Sequence, residues 1–95
     1  MAELLSDTEI DTALTDLPNW RRDGATLVRT VESASFPAAI ALVDRVAEAA
    51  EAMNHHPDMD IRWRKVTYSL STHSAGGITA SDLELARRID DLASS

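Results

Sequence analysis

Cysteine is absent from the 95 residues, which excludes disulfide staples, thiolate zinc sites and cysteine nucleophiles, and leaves the redox compartment unmarked. Positive charge is scarce. Nine Lys and Arg stand against sixteen Asp and Glu, a formal charge of -7 that repels phosphate backbones, and no basic stripe with interleaved aromatic residues offsets it. Direct nucleic-acid binding is therefore not expected. Long apolar runs are missing too: nothing approaches the ~20 residues of a membrane span, and Met1 to Ser6 shows no basic region leading into an apolar stretch. The expectation is an untargeted cytoplasmic protein with no membrane partner. Repeats, low-complexity tracts and breaks in composition are also lacking, so residues 1–95 read as one domain. A chain this short buries only roughly 60–65% of its surface on folding, which makes self-association an expectation as well.

What is present is a clear alternation of periodicities. Ser6 with Glu9 three residues on forms a capping box, and Ile10, Leu14 and Leu17 follow at helical spacing until Pro18. Asp23-Gly24, between Trp20-Arg21-Arg22 and the β-branched run Thr26 to Val31, predicts a hairpin. Ser35 and Pro37 open a second helix with a stripe at Phe36, Ile40, Val43, Ala47 and Ala50, widened by Leu42, Val46 and Met53. Pro57 limits it, so its end is expected near Asn54 or His55.

Period two then takes over. Met59, Ile61 and Trp63 alternate with Asp58, Asp60 and Arg62, and Val66, Tyr68 and Leu70 alternate with Lys65, Thr67 and Ser69. A turn centred on Arg64 and Lys65 sets Ile61 opposite Tyr68, Trp63 opposite Val66, Met59 opposite Leu70, and His56 opposite His73; Trp63 and Tyr68 then read as core. Gly76-Gly77 breaks the chain. Thr79 with Asp82 opens a last helix carrying Leu83, Ala86, Ile89 and Ala93. The order helix, hairpin, helix, hairpin, helix predicts an α+β fold, a four-stranded antiparallel sheet with three helices packed on one face. Strand two, Thr26 to Val31, with Arg29 as its only internal charge, is the candidate edge for joining two sheets across a two-fold axis.

All three histidines fall between positions 55 and 73. Glu51 lies four residues before His55, so a helix continuing that far brings the carboxylate to the imidazole, where it fixes the tautomer and favours the protonated form. Imidazole suits proton transfer near neutral pH, and two or three together can protonate one atom while deprotonating another. Spacing alone leaves two other readings open. Surface histidines are common, and an Asp at the third helical position is ordinarily a cap. Imidazoles with a carboxylate also suit zinc, although the chain has no His-Glu-x-x-His helix.

The run Glu51-Ala-Met-Asn-His55-His56-Pro57, then Trp63 after five residues, His73 after nine more and Asp82 after eight more, resembles the full signature of the pterin-4a-carbinolamine dehydratases. Asn19-Trp20, Arg45-Val46-Ala47 and Leu70-Ser71-Thr72-His73 extend the likeness over most of the chain; Met59 departs from it, standing where many members carry an aromatic residue. The resemblance implies four antiparallel strands backed by three helices, assembled as homodimers or homotetramers. It implies removal of water from 4a-hydroxytetrahydropterin to give quinonoid dihydropterin, in recycling of the tetrahydropterin cofactor of aromatic amino acid hydroxylases. It assigns proton transfer to His55 and His73, hold on the pterin to His56 and orientation of His55 to Glu51, and places Asp82 and Trp20 on the substrate side; it calls for no metal or other cofactor. Some relatives act instead as dimerisation partners of a transcription factor or as assembly factors without the activity, and that is the competing reading.

Overall fold

Ser6 accepts a hydrogen bond from the Glu9 backbone N–H (3.1 Å) and the Glu9 carboxylate accepts one from the Ser6 N–H (2.8 Å), so the capping box closes and starts α1 (Asp7–Leu14). The computed structural model describes residues 3–95. After α1 come β1 (Arg21–Asp23), β2 (Thr26–Glu32), α2 (Phe36–Met53), β3 (Asp58–Arg62), β4 (Lys65–Leu70) and α3 (Ala80–Ser94). Both hairpins turn on two residues, and in each the first of the two has positive φ: Gly24 at 58° and Trp63 at 55°. Glycine is the usual residue there because it lacks the Cβ that clashes.

The four strands form one antiparallel sheet in the order β1-β2-β4-β3. Alternation sends Leu27 and Val31 of β2 and Val66, Tyr68 and Leu70 of β4 to one face, where they bury against Ile10, Leu42, Val46, Leu85 and Ile89 of the three helices. Each such fully buried side chain contributes about 1.5–3 kcal/mol. On the outer face Thr30 and Thr67 share a hydroxyl hydrogen bond of 2.8 Å. Arg29 also faces the helices, opposite Tyr68, and its guanidinium pairs with Asp90 of α3; the Trp20 indole N–H donates to the same carboxylate oxygen (2.7 Å). That clasp fixes α3 to the first half of the chain.

Four expectations need correction. The β3–β4 turn lies at Trp63 and Arg64, so Ile61 pairs with Val66, Met59 with Tyr68 and Asp58 with Ser69. A shift of two residues keeps the paired strand residues, Asp58 to Arg62 and Lys65 to Ser69, on their expected faces. What sets it is tertiary: the Arg64 carbonyl accepts from Ser33 N–H (2.9 Å) and its guanidinium pairs with Glu32 (2.9 Å). Trp63 is consequently not core; it is 67% exposed, with the Arg64 guanidinium 4.8 Å from its ring centre. In α2 the buried line is Ala39, Leu42, Val46 and Ala50, while Phe36 and Ala47 are exposed. Only Asp44, Arg45, Glu48 and Glu51 are charged in that helix, so the pattern left its inward face loosely defined. Finally, β2 is an inner strand; the edges are β1 and β3, because the short β1 covers Thr26 to Val28.

Candidate active site

The site begins with the way α2 stops. Asn54 adopts the left-handed conformation (φ 51°), which asparagine tolerates better than most residues. His55 N–H reaches back to the Ala50 carbonyl (3.0 Å) and Asn54 N–H to that of Glu51 (3.1 Å), the paired bonds of a Schellman cap. The helix therefore ends before His55, and the backbone turns that residue inward toward α3. Pro57 then disfavours helical geometry at His56 and leads into β3.

His55 meets Asp82 at the N-terminus of α3, with Nε2 2.5 Å from Oδ1. Asp82 is fully buried, and its Oδ2 accepts from the Thr72 hydroxyl (2.8 Å) and the Thr79 backbone N–H (2.9 Å). Thr72 Oγ1 also lies 2.7 Å from Thr79 Oγ1. Since the single Thr72 hydroxyl hydrogen goes to Asp82, the Thr79 hydroxyl donates to Thr72. The carboxylate can only accept, so His55 donates through Nε2–H and, when neutral, carries its lone pair on Nδ1. Asp82 thus caps α3 and orients an imidazole with one side chain.

His56 takes the other carboxylate. Its Nε2 lies 2.7 Å from Glu51 Oε1, with both side chains largely in solvent. The expected Glu51–His55 contact is replaced by Glu51–His56 because the left-handed turn at Asn54 carries His55 off the helix surface on which Glu51 stands. His73 is exposed on a tight loop closed by Thr72 N–H to the Gly77 carbonyl (2.8 Å) and by Gly76 N–H to the Thr72 and His73 carbonyls (2.9 and 3.2 Å). Gly76 has φ 77°, which that loop requires and a side chain would resist. The expected pairing of His56 with His73 across the hairpin is not present: the β3–β4 ladder ends at Asp58 and Ser69. What connects the segments is Asp82, bonded to His55 and to Thr72, the residue before His73.

Trp20 and Asp82 are both buried, with the polar groups described above engaged inside the protein. Trp20 bonds Asp90, which lies roughly 12 Å along α3 from Asp82. Among the described residues no three His, Asp or Glu side chains converge as a set of metal ligands. Thr72 and the hydroxyl of Thr79 were not legible as site residues; the signals touching them were the Thr79-x-x-Asp82 capping box, which by itself means a helix start, and the place of Thr72 beside His73 in a stretch that resembles the family. Chemically, a neutral His55 offers a base at Nδ1, its protonated form offers an acid, and Asp82 stabilises the imidazolium as it forms.

The family described as pterin 4 alpha carbinolamine dehydratase matches residues 3–92. A Nocardia farcinica protein provisionally named pterin-4-alpha-carbinolamine dehydratase is 69% identical over 91 residues, covering 96% of each chain. Among solved structures, a transcriptional coactivator/pterin dehydratase from Brucella melitensis superimposes with a TM-score of 0.90 at 28% identity, over 94% of this chain and 97% of that one. A pterin dehydratase-like protein identified as a RuBisCO assembly factor in the alpha-carboxysome is more distant, with a TM-score of 0.69 at 25% identity over 81% of this chain and 92% of that one. With the family match spanning nearly the whole sequence and the fold shared, the chain belongs to the pterin-4-alpha-carbinolamine dehydratase family.

Proposed function

We propose that this protein is a hydro-lyase that removes water from 4a-hydroxytetrahydropterin to give quinonoid dihydropterin, serving recycling of a tetrahydropterin cofactor. The observation that carries the reading is the His55–Asp82 pair: an imidazole with its tautomer set by a buried carboxylate, in a chain of this family. Elimination requires one proton to be given to the 4a oxygen and one to be taken from the ring system. A ring nitrogen's lone pair forms the new double bond to carbon 4a as the C–O bond breaks, and water leaves. The enzyme gains one proton and loses one, so no redox centre or Lewis acid is called for.

His55 and His73 are the proposed proton-transfer groups, and His56, steadied by Glu51, is the proposed hold on the pterin. Asp82 acts through His55. The protein is proposed to work as one domain, in the cytoplasm, as a homodimer or homotetramer and without metal. The test is dehydration of freshly generated 4a-hydroxypterin, followed optically. Acceleration well above the spontaneous rate supports the reading, and a rate equal to the blank leaves the non-catalytic role named for the more distant solved relative as the better one.

A further inference from the structure

We infer that Thr72 is a positioning residue, whose hydroxyl locks the Asp82 carboxylate and, through it, the His55 ring. The inference rests on the proposed role of His55 in proton transfer. Thr72 is buried, and its hydroxyl bridges two groups: it donates to Asp82 Oδ2 (2.8 Å) and accepts from Thr79 Oγ1 (2.7 Å). Asp82 has two oxygens and two side-chain torsions, of which the second, about Cβ–Cγ, sets the plane of the carboxylate. Oδ1 holds His55, so anything that fixes Oδ2 fixes the plane in which Oδ1 presents itself to Nε2–H.

Two donors reach Oδ2, and they differ in kind. Thr79 N–H belongs to the α3 cap and remains whatever Thr72 carries. The Thr72 hydroxyl comes from the loop at the end of β4, so it ties the carboxylate to the segment bearing His73. Without it the carboxylate can pivot about the Thr79 N–H bond. His55 then loses its single fixed acceptor, and the neutral ring becomes free to place its proton on either nitrogen. A base whose lone pair must lie on Nδ1 is in the wrong tautomer for part of the time.

The experiment compares Thr72→Val, which is nearly isosteric without the hydroxyl, with Thr72→Ser, which keeps it. Imidazole ¹⁵N shifts of His55 report the tautomer, steady-state kinetics report kcat and KM, and thermal melting reports the fold. In the folded valine variant the neutral His55 is expected to lose its Nε2–H preference, with kcat lower by on the order of tenfold and KM nearly unchanged. Serine is expected to restore both. An unchanged tautomer in folded Thr72→Val would overturn the inference, as would equal defects in the two variants, since these would mean that packing rather than the hydroxyl matters. If the valine variant does not fold, the unsubstituted protein decides: a Thr72 hydroxyl proton held on Asp82 exchanges slowly with solvent, and a rapidly exchanging one overturns the proposal. Should the unsubstituted protein fail to dehydrate the pterin, the proposed function falls, while the ¹⁵N measurement still judges Thr72.

Discussion

His55 and His56 are adjacent in sequence yet hold different positions: one is anchored on a buried carboxylate, the other on an exposed one. Their removal should read out differently. His55→Ala and His73→Ala are expected to lower turnover by roughly 10²-fold or more with folding nearly intact, the usual scale for losing a general acid or base. His56→Ala should act chiefly on KM, and equal losses in kcat and KM for all three variants would contradict the assigned roles. Tyr68 makes a separate prediction at the same scale. Its ring is fully buried on the helix-facing side of β4, and its hydroxyl has no hydrogen-bond partner among the described residues. Burial pushes the phenol up to about 12, against the opposing pull of Arg29 and Arg45. The folded value is raised, so the unfolded chain ionises first, near pH 10. This contribution is therefore whole below about pH 10 and is lost as the pH climbs through the folded value. Tyr68→Phe should leave stability unchanged or raise it by about 1 kcal/mol at neutral pH, because it deletes an unpaired buried hydroxyl, and it should blunt the alkaline loss. Denaturant midpoints from pH 8 to 12 check both, and a clearly less stable phenylalanine variant would show that the hydroxyl has a partner such as bound water.

The helices and strands carry their own expectations. Glu9 is held below the ordinary carboxylate range first by the Ser6 backbone N–H and then by the Ser6 hydroxyl. A depressed folded value means that the capping box contributes above the ordinary glutamate range and is lost as pH falls through the lower folded one. On acidification α1 should fray before the sheet opens, seen as early loss of amide-exchange protection over Asp7–Leu14, and Glu9→Gln should flatten that pH response. Uniform loss of protection across all elements would argue against it. Signals of this kind were legible because they are local: Ser6 with Glu9, Thr79 with Asp82, Asp23-Gly24, and the two alternating runs from Asp58 to Leu70 each lie within a few residues. What was not legible depended on distant residues. The β3–β4 register is held by Ser33 and Glu32, which the hairpin's own sequence does not contain. The inward face of α2 is chosen by what packs against it. The partners of the histidines turned on one torsion at Asn54, and those of Asp82 on a loop whose closure no spacing rule describes.

At the scale of the molecule, among the described residues the sheet leaves β1 and β3 as open edges, and β2 from Arg29 to Glu32 has no strand on its β1 side. Phe36 and Ile61 are also nearly half exposed, and Trp63 more so. Open edges and exposed apolar side chains favour self-pairing, so light scattering at micromolar concentration is expected to give a dimer or larger. A stable monomer with full activity would contradict this. Dehydration should survive exhaustive chelation; activity that disappears and returns with zinc would contradict the metal-free mechanism. The contact between His55 and Asp82 also bears on the order in which the protein is made. All three imidazoles precede Asp82 in the chain, and its carboxylate sits in the first turn of α3, a helix of 15 residues. During synthesis, which proceeds at about 5–20 residues per second, His55 leaves the ribosome before its acceptor does. A nascent chain stalled with α3 still in the exit tunnel would expose every imidazole and fasten none through Asp82. The proposed proton transfer through His55 would then become possible only once α3 docks, rather than being a property the growing sheet acquires by degrees.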